Sequence, residues 1–442
     1  MDPEQRKNLW LLLLVGGLVL GTVWHELLVD WVPALGAWDE AVLLGMVLVL
    51  VFFRRVPCRT VSLGLPLAAY ASIAFGSAVW NGLPLGLLRH TLIYMIAALA
   101  ASQLERETVR RLLRVLVLVG AAAASYGIVS FVCFRILTGG DPTRPALSNP
   151  VEVFLLYPYY NGAYPRGWRL VGTFFNDNYF GVWCVALAAL GLMLLRQERG
   201  RARLGLGLAS ALLFCASCWT YSRSATLALV AASVYLAWRL SRKVLVVLGL
   251  TVLVSVPWMT WRDSHRYTHL TETAGGRLQS VQRAVDTLTG PSMLLGHGPG
   301  SRGLADVQYA KTAYELGWLG LLGLAWLLAC ALRPAFRGLS PSEKPEDREC
   351  RLGLGAAILA LLAGGCGGDI FEIPQIAITL WSLCGFLAAF EPVHSICGGG
   401  GGHAIGEAAK GGAGRLSIPE KGPMNLQAAT GGDWEWDDRS SG

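Results

Sequence analysis

Arginines set against apolar runs are the residues of this sequence with the means to do chemistry. The stretch CASCWTYSRSATLALVAASVY, residues 215–235, joins two such runs at Thr-Tyr-Ser-Arg-Ser, and Arg223 is its only formal charge. A guanidinium presents a planar fork of donors that binds oxyanions in pairs, so an arginine at an apolar boundary suits a phosphate or diphosphate. The blander reading is a snorkelling or helix-capping side chain. Other polar residues fall at comparable boundaries. Arg169 and Asn176 precede the apolar run from 177, and Asn178 lies in its first turn. Arg277 opens an amphipathic stretch, and Asp306 and Glu315 flank the start of a later run. His297 sits in the turn GHGPG, where glycines let backbone approach a ligand. Arg89 and His90 lie near one end of the run 84–103.

Each of these residues has a second reading. Glu315 either accepts a proton within hydrogen-bond reach or complements a helix dipole. Asp306 is either a base or a solvated loop residue. Asn176 and Asn178 either bind sugar hydroxyls or cap a helix, and capping is the simpler role for Asn176. Tyr157, Tyr159, Tyr160 and Trp168 form either a sugar-stacking platform or an interfacial aromatic belt.

The elements that must position these groups are membrane helices. The chain has 442 residues, of which 53% are hydrophobic and 15% charged, against about 25% charge in soluble domains. Mean hydropathy is +0.46. Apolar runs long enough to cross about 30 Å of hydrocarbon recur through the chain, about twelve in all. They fall at roughly 9–28, 36–53, 61–80, 84–103, 112–134, 177–195, 203–219, 224–240, 244–260, 314–333, 351–367 and 373–391. The fold class is therefore an all-α polytopic membrane protein, with a membrane domain over 1–396.

Alternate connections carry the basic residues, among them Arg54, Arg55 and Arg59, Arg106 to Arg114, and Arg196 to Arg203. This bias puts both termini in the cytoplasm and accounts for the net charge of +7 without a nucleic-acid partner. Two connections, between helices 5 and 6 and between helices 9 and 10, are long and lie outside. The second, 261–314, carries Leu278, Val281, Ala284, Val285 and Leu288 at helical spacing, which predicts an amphipathic helix over 276–288 on the outer surface. No cleavable leader is evident. The ten cysteines, Cys215 and Cys218 included, read mostly as small buried hydrophobes. Residues 397–442 have the Gly-rich composition of a solvated cytoplasmic tail.

At these positions the chain resembles the bacterial O-antigen ligase and polymerase superfamily of membrane glycosyltransferases. GTFFNDNYFG (172–181) is similar to the family's Gly-Thr-Phe-x-Asn-x-Asn motif, and TYSRSA (220–225) to its Thr-x-Ser-Arg-x-Ala motif. The third pattern starts at Arg277, passes through GHGPG (296–300) and ends in YELGWLGLLG (314–323). The ligases carry a His-Asn pair about nine residues before the Glu-Gly element. This chain has Asp306-Val307 there, followed by Tyr309, which leans toward the polymerases.

The resemblance implies inverting transfer of a glycan from undecaprenyl diphosphate to an acceptor hydroxyl, at the periplasmic face of the bacterial inner membrane, without nucleotide sugar, metal or other cofactor. The acceptor is another lipid-linked glycan or the lipid A core. Arg223, Arg277, Asp306 and Glu315 are its catalytic candidates. Arg169, Arg89, Asn176, Asn178, His297 and Tyr309 are its substrate-binding ones. A flippase or transporter is the rival class, but such proteins place ionisable groups near the membrane midplane, whereas here they gather at one face.

Overall fold

The computed structural model describes residues 3–29, 38–52, 61–84, 88–139, 150–160, 169–174, 176–240, 265–301, 307–338, 343–368 and 373–391. Among them every regular element is helical. In chain order these are α1 (Pro3–Val29), α2 (Trp38–Phe52), α3 (Val61–Trp80), α4 (Arg89–Ser102), α5 (Arg106–Thr138) and α6 (Pro150–Tyr160), then a 3-10 turn at Gly172–Phe174. They continue as α7 (Asp177–Leu195), α8 (Gly200–Trp219), α9 (Arg223–Leu240), α10 (His265–Asp286), α11 (Ser292–Leu295), α12 (Gln308–Phe336), α13 (Pro345–Gly364) and α14 (Pro374–Ala389).

Among the described residues, six helical stretches are long and apolar enough to cross a membrane: Gln5–Trp24, Leu63–Trp80, Arg106–Thr138, Asp177–Leu195, Gly200–Trp219 and Gln308–Phe336. The chain is a multi-pass membrane protein. The expected run 244–260 and the tail 397–442 lie outside the described residues.

The apolar runs of the sequence and the helices agree in their middles and differ at their ends. The run expected from 112 begins at Arg106, because charged residues extend the helix on paired contacts. Glu107 accepts from Arg111 at 3.2 Å, while Arg106 reaches Asp347 at 3.1 Å and the carbonyls of Ala389 and Glu391. Similarly, α13 starts at Pro345, with proline at N1 and Glu346 and Asp347 in the first turn, where the helix dipole favours acids.

At the centre stands α7, apolar on every side and therefore buried. It packs between α5, α8, α9 and α13, while α14 packs on α4. Small residues set how closely these helices meet, as expected where lipid supplies no hydrophobic drive. A Cβ on Gly191 would meet the Ser210 hydroxyl, and one on Gly385 would meet the Ala98 carbonyl.

Helix α6 sits in the first long connection, where the sequence suggested only loop. It packs Leu156 and Tyr159 on Phe134, and the Tyr159 ring stacks on Phe134 at 4.3 Å. Tyr159 is thus core, not an exposed sugar platform. Of the cysteines, Cys184, Cys350 and Cys384 are buried, and Cys215 and Cys366 are exposed.

Candidate active site

The turn from α8 to α9 is the centre of the site. Helix α8 ends as Thr220 donates to Ala216 and Tyr221 to Cys218. Tyr221 then adopts φ 50°, alone among described non-glycine residues in having a positive φ, a conformation that surrounding contacts must hold. Ser222, 2% exposed, secures it from three sides. Its N–H donates to Thr220 Oγ1 at 3.3 Å, and its hydroxyl donates to Asn178 Oδ1 at 3.0 Å. The same hydroxyl accepts from Ala225 N at 3.1 Å, capping α9.

Arg223 is consequently the first residue of α9, where the helix dipole opposes a cation. A capping arginine belongs at the other end, so helix stability does not explain it. Its side chain is exposed. Desolvation first, then the charges of Arg169 and Arg277, pull its guanidinium below the ordinary arginine value. Arg169, Arg223 and Arg277, from three separate segments, therefore share one field. An anion brought among them relieves their repulsion.

Arg169 is buried, and its guanidinium pairs with the carboxylate of Asp177, which is also buried. The segment behind Arg169 is pinned where Leu170 N donates to Trp219 O at 3.1 Å. Gly172 follows at φ 61°, where a Cβ would strike the Phe180 ring. Asn176 is the N-cap of α7, accepting from the N–H groups of Asn178 and Tyr179. Its side chain does what the simpler sequence reading expected. Asn178 has its carbonyl oxygen on Ser222 and so ties α7 to the arginine turn.

Asp177 carries no distinctive signal in the sequence, because an acid in the first turn of a helix is sufficiently explained by the dipole. Its partner becomes visible only in three dimensions. Removing one member of a buried pair strands the other charge, so Asp177→Ala is expected to cost about 3–5 kcal/mol. A combined Arg169→Met/Asp177→Leu variant is expected to recover much of that stability. Thermal unfolding of the purified proteins checks both, and an unshifted Asp177→Ala midpoint would show the pair to be idle.

Arg277 lies on α10, half-buried. The helix reaches from His265 to Asp286, longer than the expected 276–288. It packs Val281 and Ala284 against Val307, Ala310 and Tyr314 of the α12 segment, while Leu278 and Val285 stay exposed. One apolar edge of the expected amphipathic face is therefore unpartnered.

The third sequence pattern folds as a clasp. Helix α12 breaks at Gly317 (φ 67°, ψ −170°), which frees carbonyls of the preceding turn. The GHGPG loop takes them up, since His297 N donates to Tyr314 O and Gly298 N to Glu315 O, both at 2.9 Å. Ser77 Oγ lies between two carbonyls that share its single proton, Leu295 O at 2.5 Å and Glu315 O at 3.1 Å. The Glu315 carboxylate accepts from Gly300 N at 3.2 Å, and the His297 ring leans on Tyr314 with centroids 4.6 Å apart. His297 Nε2 is buried without a hydrogen-bond partner among the described residues. The glycines are needed for contact as much as for conformation: a Cβ on Gly296 would strike Glu315 backbone, and one on Gly317 the Leu294 carbonyl.

The end of α13 closes the assembly, with Gly365 O accepting from Gln308 N at 3.2 Å and Gly368 against the Tyr179 ring. Tyr309 donates its hydroxyl to Leu362 O at 2.7 Å and so joins α12 to α13. Arg89 opens α4, next to Leu88, which is buried with Ala74, Ala78 and Leu316 beside the clasp. Asp306 lies outside the described residues. Arg169, Asn178, Arg223 and Arg277 are thus brought to one region, and Glu315 and His297 to the adjoining clasp, linked through Tyr314 to α10.

Residues 208–325 match the protein-family model described as O-antigen ligase. No curated protein matches the chain. The matched stretch covers Arg223, Arg277, the GHGPG loop and Glu315, whereas Arg169, Asp177 and Asn178 precede it.

Proposed function

We propose, on the premise that its segment 208–325 makes this chain a member of the O-antigen ligase and polymerase superfamily, that it polymerises lipid-linked glycan repeat units. The glycan on undecaprenyl diphosphate is the donor, and a hydroxyl of another lipid-linked glycan is the acceptor. About twelve helices cross the inner membrane, with both termini cytoplasmic and the site on the periplasmic face. The observation that carries this reading is that Arg169, ahead of α7, and Arg277, midway along α10, both act on Arg223 at the start of α9.

The acceptor oxygen attacks the anomeric carbon, the bond to the diphosphate breaks with inversion, and its electron pair leaves on phosphate. Arg223 and Arg277 meet the charge that builds there. Preorganised cations act most strongly on charge developing in the transition state, since they need no reorganisation at that moment. Arg169, fixed by Asp177, supports the same anion from the protein side. Asn178 and His297 contact sugar, and Arg89 and Tyr309 border the site.

The acceptor's proton goes to Asp306 or Glu315. Glu315 also holds the clasp through Gly300, and these two duties are separable. Glu315→Gln keeps a carboxamide oxygen for Gly300 and removes the base. Little change in kcat for Gln, with loss for Ala, would assign Glu315 to holding the loop and leave the proton to Asp306.

The description of the matching family favours a second reading, transfer of the finished glycan onto lipid A core. A gel profile of surface polysaccharide and lipid-linked intermediates from cells lacking the protein separates the two. Single repeat units on the core are expected for the polymerase. Long chains stranded on undecaprenyl diphosphate, above bare core, would make it the ligase. An unchanged profile would overturn both.

A further inference from the structure

The clasp has an outer side that the chemistry above does not use. Helix α11, sequence SMLL, carries no ionisable residue, yet Met293 is 50% and Leu294 55% exposed. It is firmly fixed to its neighbours. The Leu294 carbonyl lies against Gly317, Leu295 O accepts from Ser77 Oγ, and Gly296 N closes the turn onto Ser292 O at 2.8 Å. Such a rigid apolar projection costs free energy in water.

The two helices that α11 packs against also carry exposed apolar side chains. Val79 and Trp80 at the end of α3 are 58% and 62% exposed, and Leu319 and Leu322 on α12 are 40% and 65% exposed. Both α3 and α12 are long and apolar enough to span a membrane. We propose that α11 is a membrane-inserted wedge, whose Met293 and Leu294 sit in the acyl chains of the leaflet on the Arg223 side. The partner is lipid hydrocarbon, because α11 carries no charge and packs against two spans whose own exposed side chains are apolar, and apolar surface gains free energy on leaving water.

The wedge fixes depth. Through Gly317 and Ser77 it is tied to the backbone that carries Glu315 and His297, so the clasp is held at the level of lipid headgroups, where a lipid-linked diphosphate lies. The wedge itself rests only on the membrane class of the chain and would stand if the glycan reading failed.

A photoreactive benzoylphenylalanine at Met293 or at Leu294, irradiated in the full chain in native membranes, tests this. Phospholipid adducts are expected at both positions, with a yield similar to that at Leu322 and well above that at Gln279, an exposed position on the polar side of α10. Adducts at Leu322 but at neither α11 position would overturn the proposal, and so would crosslinks from α11 to a second copy or another polypeptide. Positions 293 and 294 both point outward, so failure to fold at both would itself argue that α11 packs on protein and is no wedge.

Discussion

Arg223→Ala is expected to lower glycan transfer by about 10²–10³-fold, the range for loss of one preorganised electrostatic donor. Protein level should hold, because the side chain is exposed while its backbone turn is secured by Ser222, Thr220 and Asn178. Arg223→Lys keeps the charge but not the planar fork, so only part of the activity should return. Arg277→Ala should fall in the same range, and the double variant should lose less than the product of the two, because both side chains serve one anion. Transfer between defined lipid-linked repeat units in membranes, with expression checked in parallel, measures this. Full activity of Arg223→Lys would remove bidentate recognition as the reason for arginine, and full activity of both alanine variants would end the diphosphate clamp.

Gly317→Ala is expected to destabilise the protein by about 3 kcal/mol or more, from disfavoured backbone and overpacking together. At φ 67° and ψ −170° an L-residue is strained whatever its surroundings, and here the Cβ would also strike the Leu294 carbonyl. Relief requires either straightening α12, which withdraws the Tyr314 and Glu315 carbonyls from His297 and Gly298, or expelling α11. Either route undoes the clasp, so activity should fall with stability. Gly76→Ala in α3, where a Cβ meets open space, is the control and should be neutral. Thermal midpoints of the purified variants provide the comparison. Equal midpoints for the two would mean that α12 tolerates a straight path and that the break is not required.

Sequence alone determined where most of the described helices run, because hydropathy is a local property. An apolar run of the right length must be helical in lipid, since no water satisfies its backbone, and this placed α3, α7 and α8 closely, while α1 and α12 start well before their apolar runs. The cap at Asn176 was legible for the same reason: its partners are the nearby N–H groups of Asn178 and Tyr179. Helix ends were less so. The start of α5 depends on Asp347, which is remote in the chain.

Tertiary structure alone decided what the motifs do together. TYSRS reads as a boundary arginine until Ser222 is found on Asn178 and the charges of Arg169 and Arg277 are found acting on Arg223. Asp177 reads as a dipole acid until Arg169 closes on it. The Glu-x-Gly pattern is a helix start by sequence, yet Gly317 breaks the helix, because backbone from Leu294 occupies the space a side chain would need. Hydropathy and capping act between neighbours along the chain, while ion pairs and close backbone contacts act between neighbours in space. Only folding makes the second kind.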